Sequence, residues 1–266
     1  MMQILGMVSV ACLQILLCSS LAHGSDPGGG WSVHTEEPTS EGVRLLSLVD
    51  PQGQVKWKRF LPNNDDIVPA DAFIVGEGKY TVTFDDTGHR AVFAVVIYDE
   101  RGKIVFIHNP FSLGLDFFDP AAGVRSGAQG IHWLDVTFRY VIDDDVVIRF
   151  QNGQTAWIAL ENGWLETPED IPAPRREAER RRCLLEINRE LDVADGSYTW
   201  LSLTAARLAA ILKDRDVIPL LQRMAASSQP ETRLIPNAKG ELIEHRLSTF
   251  QDAARDALKV LLARPR

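Results

Sequence analysis

The chain has 266 residues, 45% of them hydrophobic and 24% charged, with 19 glycines and 14 prolines. Those proportions belong to globular proteins and exclude collagen-like, coiled-coil and wholly disordered chains. The formal net charge of −8 argues against a nucleic-acid partner, because phosphate recognition needs clustered lysine and arginine. The length suits one large domain or two small ones.

Residues 4–22 are largely apolar, interrupted by Ser9, Gln14, Ser19 and Ser20. Ala22-His-Gly24 then sets small residues where a signal peptidase reads them, ahead of a glycine-rich run. The pattern predicts a secretory signal over residues 1–24 and an exported protein, whether periplasmic, cell-envelope or extracellular. Met1-Met-Gln3 lacks lysine and arginine, so an uncleaved anchor stays open; a spanning helix needs about 20 apolar residues. Leu17 ahead of Cys18 argues against a lipid-modified cysteine. Cleavage after Gly24 removes Cys12 and Cys18, leaving Cys183, no internal disulfide and no stable membrane span. Cys183 lies in Arg180-Arg-Arg-Cys-Leu-Leu-Glu-Ile187, an amphipathic helical pattern that predicts a buried thiol. Exposed beside those arginines it would instead be acidified and open to redox or intermolecular pairing.

The stretch 25–165 reads as a β-rich domain. Leu48-Val-Asp-Pro-Gln-Gly53-Gln-Val-Lys-Trp57 matches Ile97-Tyr-Asp-Glu-Arg-Gly102-Lys-Ile-Val-Phe106, and more weakly Ile148-Arg-Phe-Gln-Asn-Gly153-Gln-Thr-Ala-Trp157. Each copy runs an apolar strand into a polar turn closed by glycine, and an aromatic follows four residues later. Glycine supplies the positive φ of a tight hairpin. The glycines fall at a period near 50, which predicts one hairpin-based sheet unit used three times. Tyr80-Thr-Val-Thr-Phe84 and Trp133-Leu-Asp-Val-Thr-Phe138 alternate and add strands before the second and third hairpins.

Over residues 31–165 this pattern resembles the blades of bacterial β-propellers, where an Asp-x-x-Gly-Lys turn and a strand ending near tryptophan recur. The resemblance implies antiparallel blades with Trp57 and Trp157 packed between them. A closed propeller takes about four or more blades and three units fit here, so a partial propeller and a β-sandwich both stay open.

Residues 166–174 carry three prolines and read as a linker, followed by a helical domain at 175–266. Apolar spacing predicts helices over 175–191, 202–212, 217–224 and 249–262, with Pro219 in the first turn of its helix. Ala205-Ala-Arg-Leu-Ala-Ala-Ile-Leu212 followed by Asp216-Val-Ile-Pro-Leu-Leu221 resembles a HEAT-type helical repeat, and Thr249 to Leu262 resembles the start of another. Residues 227–244 are longer and more polar than that family expects. HEAT-type arrays are binding scaffolds, so the resemblance implies interaction with a protein partner. The fold class expected is therefore α+β with segregated parts.

Residues 25–165 hold 20 acidic against 11 basic residues, whereas 166–266 hold 16 against 17. The five arginines in Arg175-Arg-Glu-Ala-Glu-Arg-Arg-Arg182 fit a solvated helix face with glutamate partners a turn away. Docking onto the acidic β-rich part of the same chain, or an anion or membrane-surface patch, are the other readings.

No nucleophile elbow, His-Glu-x-x-His motif or zinc-spaced cysteine pair occurs, and no cofactor or metal site is expected. Three carboxylate groups remain: Asp65-Asp66, Asp85-Asp86 and Asp143-Asp144-Asp145. Consecutive aspartates point in different directions, so none makes a calcium loop alone, and Asp143 to Asp145 read as a solvated hairpin tip. Asp85, Asp86 and His89, with His108 or His132, are the candidates for acid–base or metal chemistry in a secreted hydrolase. The leading expectation is an exported, non-catalytic binding protein that docks a protein partner. Self-association through an open sheet edge is a further option.

Overall fold

The structure, a computed structural model, describes residues 30–36, 45–61, 71–84, 94–114, 125–127, 130–132, 138–167, 169–194, 196–227, 231–236, 242–247 and 249–263. The segment 1–24 and the candidates Asp65, Asp66, Asp85, Asp86 and His89 lie outside the described residues, as does the side chain of His132. The chain is mixed α+β, with antiparallel sheets and four helices among the described residues.

Three sheets follow one another along the chain. The first is β1 (Ser32–Thr35), β2 (Leu45–Val49) and β3 (Val55–Phe60). The second is β4 (Asp71–Val75), β5 (Tyr80–Phe84), β6 (Val95–Asp99) and β7 (Ile104–His108). A two-stranded piece, β8 (Arg125–Gly127) and β9 (Gly130–His132), precedes the third sheet. That sheet is β10 (Phe138–Ile142), β11 (Asp145–Arg149), β12 (Thr155–Ala159) and β13 (Leu165–Glu166). Within each sheet the strands pair in chain order.

The sheets stack face to face, and the two-residue alternation of a strand decides which side chain serves which interface. Val33, Leu46, Leu48 and Trp57 of the first sheet meet Ala72, Ile74, Val96 and Tyr98 of the second. From the other face of the second sheet, Val82, Phe84, Val95 and Ile97 meet Val146, Ile148, Ala156 and Ile158 of the third. Strands buried on both faces lose their polar alternation, which is why Val95-Val-Ile-Tyr98 and Val146-Val-Ile148 run apolar without a break. The remaining face of the third sheet, with Phe138, Tyr140, Val147 and Trp157, packs against helices.

Those helices are α1 (Ala173–Leu191), α2 (Trp200–Leu212), α3 (Ile218–Ala225) and α4 (Thr249–Leu262). Pro174 opens α1 and Pro219 opens α3, both where a missing N–H breaks no helical hydrogen bond. Thr199 caps α2, its hydroxyl accepting from the Leu201 amide at 3.2 Å while Ser202 accepts from the Thr199 amide at 3.2 Å. Lys213 ends α2 in the left-handed region at φ 57°. Between α3 and α4 lies a β-hairpin, β14 (Glu231–Pro236) and β15 (Leu242–Leu247), which an uninterrupted helical repeat does not contain. The proline-rich segment before α1 buries Ile171 in the core that the third sheet shares with the helices. No described helix is long and apolar enough to cross a membrane.

All three glycine-closed hairpins are present with one hydrogen-bond pattern. In the first turn the Gly53 amide donates to Asp50 O and the Asp50 amide to Gln54 O, both at 2.9 Å. Gly102 with Asp99, and Gly153 with Phe150, repeat those bonds at the same 2.9 Å. The turn carboxylate reinforces two copies: Asp50 Oδ1 accepts from the Gln52 and Gln54 amides, and Asp99 Oδ1 from those of Arg101 and Lys103. In the third copy Phe150 replaces the aspartate, and Asn152 Oδ1 accepts from the Gln154 amide at 3.0 Å.

Candidate functional site

Each sheet is fastened to the next at a turn glycine. Trp57 lies over Gly102 so closely that a Cβ there would sit 2.6 Å from the indole. Two residues on, Arg59 donates to the carbonyl oxygens of Gly102 at 3.0 Å and Arg101 at 3.1 Å. One sheet further, Phe106 covers Gly163, where a Cβ would come within 2.1 Å of the Phe106 Cβ. His108, again two residues after the aromatic, donates from Nε2 to Gly163 O at 2.6 Å. The glycine engaged in the third sheet is thus Gly163, in the turn after β12, and not the repeat glycine Gly153. His108 Nδ1 lies 3.0 Å from Ser112 Oγ, and burial lowers the pKa of the imidazole. This histidine, a candidate for acid–base or metal work by sequence, fastens two sheets together.

Trp157 holds the same place in the third copy and faces the helices instead. The Arg175 guanidinium lies 5.2 Å from the centre of its ring. Arg175 also pairs with Asp145, with Asp143 at 3.3 Å and with Glu166 at 3.3 Å. Of the three consecutive aspartates, Asp143 and Asp144 are exposed at the hairpin tip as expected, while Asp145 is buried against Arg175. Burial raises the Asp145 pKa and the Arg175 charge works against that rise. The first arginine of the basic run therefore docks on the acidic β-rich part of its own chain.

A second ion pair is deeper. Arg149 of β11 and Glu179 of α1 are 8% and 4% exposed and join side on, with Arg149 Nε 2.6 Å from Glu179 Oε1 and Nη2 on Oε2. The Tyr140 hydroxyl donates to the same Oε1 at 2.8 Å, and Arg149 Nη1 donates to Gly153 O at 2.6 Å. A buried carboxylate needs its charge and its lone pairs answered, and here three donors answer them. Desolvation pushes the Tyr140 phenol upward and the Cys183 thiol up to about 11. Cys183 is fully buried, which agrees with a core thiol and not with a reactive one.

Beside this pair opens a groove of about 630 Å³. Its walls come from the loop at Leu113 and Gly114, the hairpin of β11 and β12, residue Ile171, α1, and the end of α2 at Leu212. Arg176 and Arg180 stand at its rim, and both are exposed. Arg180 Nη2 donates to Leu212 O at 3.1 Å. A smaller cleft of about 540 Å³ runs by Trp164, which is 68% exposed, and Arg175. Among the described residues no group of three or more histidine, cysteine, aspartate or glutamate side chains is placed to hold a metal ion.

No protein-family model and no curated protein matches the sequence. Among solved structures, HIRA(644-1017) aligns at 11% identity and a TM-score of 0.29, over 86% of this chain and 73% of that one. BamB from Moraxella catarrhalis aligns at 17% identity and a TM-score of 0.23, over 54% of this chain and 50% of that one. Likeness at this level assigns neither a fold family nor a function.

Proposed function

We propose that the protein is an exported, non-catalytic binding protein whose propeller-like sheets and HEAT-like helices together dock a protein partner. The groove at the sheet–helix junction carries this reading. It is open to solvent, it draws walls from both parts of the chain, and its floor is held rigid by the Arg149–Glu179 pair. Side chains kept in place by buried ion pairs and packed aromatics lose little freedom on binding, which favours recognition. The repeated fastening of aromatic and donor onto the next turn glycine supports blade-like sheets. The short Asp-containing turn between α2 and α3 supports a HEAT-type helix pair.

A photo-crosslinking amino acid placed at Gln154 in the groove of the full-length chain tests the docking role in a Gram-negative host. A discrete protein adduct from Gln154, absent when the same group stands at Lys259 on α4, is the expected result. No adduct, or equal labelling from both positions, overturns it. Mass spectrometry of the same preparation tests export: the chain should begin at Ser25.

A further inference from the structure

We infer that the junction groove is a recognition site for an acidic, extended peptide segment of a partner, seated through Arg176 and Arg180. This rests on the binding role proposed above and names the chemistry of the partner.

Half of the six arginines of α1 are already spent. Arg175 holds Asp143, Asp145 and Glu166; Arg182 pairs with Glu186; Arg189 pairs with Glu186 and Glu190. Glu179, the acidic residue between the two rim arginines on that side of the helix, is turned inward and neutralised by Arg149. Arg176 makes no side-chain hydrogen bond or ion pair among the described residues, and Arg180 has only the Leu212 carbonyl as a close partner. Asp214 feels the Arg180 charge but forms no ion pair with it. Arg176 and Arg180 are four residues apart, so their stems leave the same face of α1 about 6 Å from one another. Two guanidinium groups without a carboxylate partner among the described residues, on one wall, form a fork for carboxylates, which arginine binds with paired N–H donors.

The opposite wall is different in character. Gln154 and Thr155 offer hydrogen-bonding groups, and only the edges of Leu113 and Trp157, 5% and 3% exposed, reach the groove between them. A ligand that suits both walls carries carboxylates on one side and small uncharged groups on the other. An extended peptide alternating acidic and small uncharged residues has that two-sidedness, because its side chains point alternately to opposite sides. The open form of the groove accepts a chain that passes through it.

The test is fluorescence anisotropy of a fluorescein-labelled hexapeptide of alternating glutamate and alanine, titrated with the full chain at low salt. Saturable binding is expected, weakened about ten-fold in Arg176→Gln/Arg180→Gln and lost when the peptide glutamates are glutamines. Arg176→Gln alone touches no contact of the fold, so its weaker binding at unchanged melting temperature separates recognition from stability. Arg181→Gln, an exposed arginine outside the groove, should leave binding unchanged. Absence of binding, or an equal loss with Arg181→Gln, overturns the inference. A crosslinked partner at Gln154 that is indifferent to Arg176→Gln/Arg180→Gln also overturns it while leaving the binding role standing. Arginine-dependent peptide binding without any protein adduct does the reverse.

Discussion

Gly53, Gly102 and Gly163 all have positive φ, yet a methyl group at each should have different consequences. At Gly53 (φ 78°) a Cβ meets nothing within 4 Å, so Gly53→Ala carries only the backbone cost of about 1 kcal/mol. At Gly102 the same methyl meets the Trp57 indole at 2.6 Å, and at Gly163 it meets Phe106 at 2.1 Å. Overpacking adds about 1–3 kcal/mol, so Gly102→Ala and Gly163→Ala should each lose about 3 kcal/mol in urea denaturation. Equal losses at all three positions would show that the inter-sheet contacts contribute nothing. Cys183 offers a second check at this scale. With its thiol pushed up to about 11, roughly one part in a thousand is thiolate at pH 8, and the side chain is enclosed. A maleimide should leave the native protein unlabelled and react fully once urea unfolds it.

Between elements, two contacts are sensitive to charge. Glu179→Ala would leave Arg149 buried and unpaired, a loss of about 3–5 kcal/mol. Removing both charges in Arg149→Met/Glu179→Leu should cost much less, the residue of the loss coming from the orphaned Tyr140 hydroxyl. His108 joins the second and third sheets in its neutral form, and burial holds its pKa below the ordinary 6.5. In the window between the folded pKa and 6.5 the unfolded chain binds more protons, so stability is complete above 6.5 and falls as pH drops through the folded value. Melting temperatures from pH 7.5 to 5 should show that decline, and His108→Gln should flatten it. None of these partners was legible in the sequence, because Arg149 and Glu179 are 30 residues apart and His108 and Gly163 are 55 apart. The elements themselves were legible: the hairpin turns, the strand at Tyr80, and all four helices within two residues at either end. Local punctuation by glycine and proline, with one apolar period per element, carries that information. The β14–β15 hairpin has the punctuation, in Pro236 and Gly240, but lacks the period, as Thr232, Arg233, Glu244 and Arg246 break any alternation. Gly163 escaped the repeat because the extra strand β13 moves the fastening turn ten residues past Gly153.

Across the whole molecule, the order of the layers is the order of the chain: first sheet, second sheet, third sheet, helices. Each interface is built by side chains from the strands on either side, so no sheet has a private core. The helices stand where another sheet would extend the stack, and a chain of three such sheets would otherwise end on an apolar face. Phe138, Tyr140 and Trp157 on that face bury about 150–250 Å² each, worth on the order of 10 kcal/mol together. That is comparable with the whole stability of a domain. The sheets and helices are therefore expected to unfold as one cooperative unit despite the proline-rich segment between them. A chain ending at Glu166 should be aggregated or molten, binding an apolar dye and giving a collapsed amide spectrum, while the full chain shows a single calorimetric transition. Two separated transitions, or a well-folded fragment, would mean that the Trp157 face can be closed without α1, and the third interface would be a docking surface rather than a core.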